Sequence, residues 1–180
     1  WVNGIGNNRF APDNTLTYAQ FYAMIVPVFA GGDFYASAYD KGPEWYAPYM
    51  DMGIVDFPTH AAWVDMNYSR HYADAGLDSW RPVYLKYANQ PITRAEAISI
   101  MWWVLTFEEL TDSVSGADTA LAQIVAENGS LNVWDEVPVS VCYAAGLISG
   151  DQNGKLNLNS TLTRAEGCAM LCNLVDYVTG

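Results

Sequence analysis

The chain has 180 residues, 51% of them hydrophobic, and a formal net charge of −12 at pH 7. This length and composition suffice for one folded domain with a buried core. Proteins bind phosphate backbones through clustered Lys and Arg, and only eight such residues are present, so nucleic acid is excluded as a partner.

The apolar runs of the chain are short. The longest, residues 21–30 and 97–107, fall below the roughly 20 residues that cross a bilayer, so no transmembrane segment is predicted. The chain starts at Trp1 without an initiator Met or a signal peptide. We therefore expect a mature or trimmed fragment, which can belong to a larger protein with further domains.

Three segments share the pattern of a helix start. Each places Thr three residues before Glu or Gln and then continues into an apolar run, which is the spacing of a capping box. Such a cap stabilises a helix by about 1 kcal/mol. Three helices of one kind are therefore predicted. The residues in the capping roles are Thr17, Gln20, Thr93, Glu96, Thr163 and Glu166.

The first of these helices departs from the other two. Tyr18 stands where the second and third copies have arginine, so no ligand contact is assigned at that position. Pro27 follows inside the same apolar run, where it removes a backbone hydrogen bond and predicts a kink or an early end of the helix.

The similarity extends beyond the helix starts. Residues from Trp1 onward align without a gap with residues from Leu147 onward, and the alignment pairs Gly4 with Gly150. A further helix is predicted before the third loop, from Trp134 to a cap at Gly146, and its counterpart runs over residues 45–53. The predicted repeat is therefore a helix, a glycine-containing loop and a capped helix.

Trp134, the Gly-Leu-Ile-Ser-Gly stretch at 146–150 and the closing Leu-Thr-Arg-Ala-Glu at 162–166 resemble the S-layer homology domain. The resemblance covers nearly the whole chain as one domain of three repeats, at about 1–30, 44–108 and 134–178, with an insertion in the second at about 56–90. It implies an all-α fold, a pseudo-threefold three-helix bundle with loop-rich prongs. It also implies a non-catalytic module that binds cell-wall polysaccharide and anchors an extracellular protein at the bacterial cell surface, without a cofactor or a metal.

Arg94 and Arg164 occupy the first helical position in two of the capped helices. Unpaired N–H groups and the positive dipole end favour an anion there, and a guanidinium group adds a fork suited to a carboxylate. The resemblance implies that the ligand is a pyruvylated terminal sugar whose carboxylate these arginines contact. We expect both side chains to be open to solvent beside a cleft. The alternative is an ordinary surface ion pair.

Four other residues are candidates for ligand contacts. Trp45 and Trp134 have faces that suit a sugar ring, although packing against the bundle is the favoured interpretation. Gly150 would let a ligand approach the loop. Lys155 either adds positive charge to a groove or is an ordinary loop residue.

The second and third capped helices are apolar around most of their circumference, so both are predicted to lie at the centre of the bundle. For Cys142, Cys168 and Cys172 the interpretations are buried thiols, a disulfide that includes Cys142, or a three-thiol metal site without a fourth ligand.

Two other functions stay open at this point. A degenerate module would serve as a protein-interaction or structural domain. A carbohydrate-active enzyme would use residues of the insertion, such as His60 and His71, although these form no recognised catalytic spacing.

Overall fold

The computed structural model describes residues 10–29, 44–50 and 88–180. Within these ranges the chain is helical and has no strands, only isolated bridges, as the predicted all-α class requires. The α-helices are α1 (Tyr18–Phe29), α2 (Arg94–Phe107), α3 (Ala117–Asn128), α4 (Val133–Ala144) and α5 (Arg164–Thr179), with a 3₁₀ turn at Thr111–Ser113.

The described residues divide into two compact units. The first contains residues 10, 16–29, 44–50 and 88–91, and the second contains residues 11–15 and 92–180. The grouping of the chain into one domain of three repeats, and its pseudo-threefold assembly, stay predictions. The insertion at about 56–90 lies almost wholly outside the described residues, and so do His60 and His71.

In the second unit, α2 packs against α4 and α5, and α3 packs against α4. Ile98, Met101 and Leu105 of α2 and Leu174 of α5 are fully buried. Burial of each such side chain contributes roughly 1.5–3 kcal/mol, so this contact region holds the unit together. The prediction of a buried, nearly all-apolar helix is confirmed for α2.

For α5 the same prediction is wrong. Only one side of the helix is buried, and Cys172 on the opposite side is exposed. The buried residues are Arg164, Gly167, Met170, Leu171 and Leu174. The helix is therefore amphipathic, because small and polar residues interrupt the apolar run around its circumference.

All three predicted capping boxes are present. The N–H groups of Thr93 and Thr163 each donate to the Glu side chain three residues on, at 2.8 Å. In α1 the Thr17 N–H donates to Oε1 of Gln20 at 3.1 Å. Glutamine thus performs the capping role of glutamate in the first copy. Pro27 lies inside α1, two residues before its last residue.

The helix predicted to start at Trp134 is α4. Gly146 follows it with φ +73°, and its N–H donates to Tyr143 O at 3.0 Å, while the N–H of Leu147 donates to Cys142 O at 2.9 Å. These two bonds form a Schellman motif, which needs a residue that tolerates the left-handed region. The cap predicted at Gly146 is confirmed.

Helix α3 was not predicted from the sequence. Its buried residues, Ala120 and Ile124, are four positions apart, and glycines in the left-handed region flank the helix at Gly116 and Gly129. Two buried side chains give too narrow an apolar stripe to be recognised by periodicity. No helix in the described parts of the chain is long and apolar enough to cross a membrane.

Candidate ligand-binding cleft

A cleft of about 230 Å³ lies in the second unit beside the first residue of α2. Arg94 forms one side, and the loop 149–157 forms another. Residues 160–162 and Glu166, in the first turn of α5, complete the lining. The cleft thus combines one guanidinium group, the carboxylates of Asp151 and Glu166, and a polar loop.

The guanidinium group of Arg94 is held by the backbone. Its Nη2 donates to the carbonyl oxygen of Ser149 at 3.2 Å, and its Nε is buried without a hydrogen-bond partner. Among the described residues no carboxylate forms an ion pair with Arg94. The surface ion pair considered from the sequence is therefore not found at this position.

The backbone donors at the helix start are already bonded. The N–H groups of Arg94 and Ala95 donate to Ser160 O and Leu158 O, both at 2.9 Å. The expectation of unpaired N–H groups that would receive an anion is wrong, because a neighbouring loop occupies them. The first two N–H groups of α1 and of α5 are bonded in the same way to backbone carbonyl oxygens. Tyr18 and Ala19 donate to Gln90 O and Ala88 O, and Arg164 and Ala165 donate to Asn14 O and Pro12 O. Only the guanidinium side chain and the dipole remain to attract a negative group.

The cleft loop is organised by Asp151. Its Oδ1 accepts the N–H groups of Asn153 at 2.8 Å and Lys155 at 3.0 Å, and its Oδ2 accepts Nδ2 of Asn157 at 3.1 Å. These bonds to the ionised form, with a smaller contribution from the charge of Lys155, hold the pKa of Asp151 below its usual value. The carboxylate thus closes a turn.

Gly150 is needed where the loop folds back on itself. A Cβ atom at this position would lie 2.5 Å from the carbonyl carbon of Gly154, closer than real Cβ atoms approach other atoms. The sequence predicted that a ligand approaches Gly150 closely, but the backbone of Gly154 occupies this space.

Lys155 lies in the lining of the cleft and also bonds to a helix end. It lines the cleft, but its Nζ donates to the carbonyl oxygen of Glu127, in the last turn of α3. A cation at the C-terminal end of a helix also interacts favourably with the helix dipole. Lys155 therefore ties the loop to α3, and the sequence could not show this because α3 was not foreseen.

Arg164 does not lie in the open as predicted. It is 7% exposed and is not part of the lining of the Arg94 cleft. Burial raises the pKa of Cys168, one turn further along α5, and the positive charge of Arg164 partly offsets this increase. The two signature arginines thus have different environments.

The tryptophans correct a second expectation. Trp45 and Trp134 are 57% and 49% exposed, so the favoured interpretation as packing residues is wrong for both. Trp45 contacts the rings of Tyr46 and Tyr49 edge-on. Neither indole lines the cleft.

The three cysteines are free thiols. Cys142 is buried, its Sγ donates to Ile98 O at 3.8 Å, and burial raises its pKa. Cys168 is half-buried and Cys172 is exposed, so the expectation of buried thiols holds only for Cys142. Within the ranges described, no group of three or more His, Cys, Asp or Glu side chains is arranged to hold a metal ion.

Comparison with known proteins bears on two segments. Residues 2–21 and 132–166 match the family model of the S-layer homology domain. The second segment contains α4, the whole cleft loop and Glu166. Two segments of the chain are therefore similar to the S-layer homology domain. Neither segment includes Arg94, and the three tandem repeats stay a prediction.

The chain is also similar to a cell surface protein of Thermoanaerobacter kivui, with 27% identity over 89 residues. The aligned stretch covers 49% of this chain and 11% of that protein. Together the two matches support the predicted location at the cell surface or in the cell wall.

Proposed function

We propose that the chain anchors its protein to the cell wall by binding an acidic terminal sugar of a wall polysaccharide in the cleft beside Arg94. The observation that carries this proposal is the state of Arg94, a half-buried cation next to a cleft, with an unpartnered buried Nε and no ion pair among the described residues. A buried donor without a partner is costly, and a ligand acceptor that reached it would recover that cost.

A carboxylate suits this cation best. The guanidinium fork can donate two parallel hydrogen bonds to a carboxylate, and hydrogen bonds to charged groups contribute about 1.5–3 kcal/mol each. A pyruvyl ketal, the group implied by the resemblance, places such a carboxylate on a sugar ring. The two carboxylates of the lining, Asp151 and Glu166, can accept hydrogen bonds from sugar hydroxyl groups.

The size of the cleft favours one sugar over a long chain. Its volume of about 230 Å³ lies below the roughly 300–1,000 Å³ typical of pockets for drug-sized ligands. A terminal residue of a polysaccharide would fit such a space, while the rest of the glycan would extend into solvent. The exposed face of Trp134, which belongs to the same unit as the cleft, is proposed as a secondary stacking surface for those outer sugars.

The proposal assigns different contributions to the two arginines. Arg94 is expected to contribute most of the discrimination for the carboxylate. Arg164 is buried, so its replacement is expected to affect the stability of the chain more than its affinity.

The test is sedimentation of the chain with purified wall polysaccharide, before and after mild acid removal of the pyruvyl groups. Wild type should bind the native glycan and lose most binding after the treatment. Arg94→Ala should bind both forms equally weakly, and Gln123→Ala, an exposed residue of α3 outside the cleft, should behave as wild type.

Two outcomes would contradict the proposal. Binding that is the same for both glycans and for Arg94→Ala would mean that the cleft does not read the carboxylate. No binding by wild type would favour the degenerate module, a protein-interaction or structural domain. The buried state of Arg164 and the Tyr18 substitution in the first copy are the observations in favour of that second function.

A further inference from the structure

Helix α3 lies outside both S-layer homology segments and outside the three predicted repeats, yet its last turn holds the cleft loop. Asn128 uses both ends of its side-chain amide. Its Oδ1 accepts the N–H of Leu156 at 2.8 Å, and its Nδ2 lies 3.2 Å from Ile124 O and 3.5 Å from Gly154 O. One half-buried side chain thus joins the helix end to the loop.

The loop connects Asn128 to the guanidinium group of Arg94. The Asp151 carboxylate ties its own residue to Asn153, Lys155 and Asn157, so this stretch is closed on itself. Ser149, two residues before Asp151, provides the carbonyl oxygen that accepts a hydrogen bond from Arg94. An anchor at Leu156 therefore fixes the position of the acceptor that orients the guanidinium group.

We propose that Asn128 is a positioning residue of the cleft and that α3 sets the affinity of the site through the loop and Arg94. This inference rests on the proposed function for its effect on affinity. Its structural part, the hold on the loop and on Arg94, does not depend on any ligand. Protein side chains that are already positioned before binding lose less conformational freedom when the complex forms. Loss of the Asn128 anchor therefore weakens binding without removing a contact to the ligand.

The binding test uses the methyl glycoside of a 4,6-O-pyruvylated hexosamine and calorimetry on the 180-residue chain. Asn128→Ala should lower the affinity about tenfold, and Gln123→Ala, which changes an exposed residue of the same helix, should leave it unchanged. A double-mutant cycle with Arg94→Ala separates positioning from general damage. Positioning predicts that Asn128→Ala costs little further affinity once Arg94 is absent, whereas equal losses in both backgrounds would overturn the inference.

A second measurement needs no ligand. Amide hydrogen exchange at Leu156 should accelerate in Asn128→Ala but stay slow in Asn128→Asp, which retains the Oδ1 acceptor. The NMR signal of the buried Nε–H of Arg94 should shift in Asn128→Ala and stay in place in Gln123→Ala. An unchanged Arg94 signal together with unchanged exchange would overturn the inference, even if wild type bound no sugar and the proposed function had failed.

Discussion

At the residue scale, the cleft depends on one arginine whose surroundings leave it available. Arg94 is oriented by a backbone carbonyl, and its backbone N–H group, like that of the next residue, is bonded to a loop. Recognition of an anion therefore falls to the side chain, because the backbone donors that usually bind anions at helix starts are occupied.

Arg94→Lys separates charge from geometry at this position. Lysine keeps the positive charge but has no planar fork, so affinity for the pyruvylated sugar should fall by roughly tenfold, and Arg94→Ala should cost more. Titration calorimetry measures both changes. A lysine variant with wild-type affinity would show that only the charge matters.

Asp151 predicts a local response to acid. Its pKa is lowered in the folded chain, so its bonds stabilise the loop fully above the unfolded pKa of about 3.9, and this stabilisation is lost as the pH falls through the lower folded value. The amide signals of Asn153 and Lys155 should titrate together below about pH 4. In Asp151→Asn this titration should be absent, and a midpoint above the ordinary value would contradict the assignment.

Gly150→Ala tests the close approach within the loop. The added Cβ would meet the backbone of Gly154 at 2.5 Å, so the turn must open, at a cost of about 1–3 kcal/mol in the free energy of unfolding. Thermal unfolding measures this loss. The control is Ser149→Ala at the adjacent exposed residue, which retains the carbonyl oxygen used by Arg94. Equal stability of the two variants would contradict the steric argument.

At the element scale, the helix starts and the cap at Gly146 could be predicted because each depends on residues close together in sequence. The roles of Lys155 and Asn128 could not, since they depend on α3, whose two buried side chains give little periodicity. Arg164 and Cys172 were placed wrongly for a related reason. Arg164 was expected to be open to solvent because it begins a capped helix, and Cys172 was expected to be buried because it lies in a run that is apolar around most of the circumference. The packing of α5 buries one stripe, which includes Arg164 and leaves Cys172 exposed.

The capping box of α5 gives a prediction at this scale. Thr163→Ala removes the acceptor for the Glu166 N–H, which lies 3.2 Å from the Thr163 hydroxyl oxygen, and should lower stability by about 1 kcal/mol. Thr161→Ala is the matched control, because this exposed threonine pairs with Thr93 only through the backbone bridge. Chemical denaturation that gave the same loss for both threonines would argue against the cap.

At the scale of the whole molecule, the net charge of −12 opposes the proposed ligand. An acidic glycan is repelled at long range and attracted only at contact with Arg94. The Debye length, over which charges still interact, is about 30 Å at 0.01 M salt and about 8 Å at 0.15 M. Added salt therefore weakens the long-range repulsion before it weakens the contact with Arg94. The association rate should therefore rise between these concentrations, as measured by surface plasmon resonance on immobilised glycan. A steady fall would indicate an overall cationic binding surface instead.

The central claim is that the guanidinium group of Arg94 recognises a single carboxylate on a sugar. The most direct test compares the pyruvylated sugar with its carboxyl methyl ester, which has nearly the same shape but no charge, by calorimetry against wild type and Arg94→Ala. The account predicts that wild type binds the acid at least about tenfold more tightly than the ester and that this preference disappears in the variant. Equal affinity of wild type for acid and ester, or a preference that persists without Arg94, would contradict it.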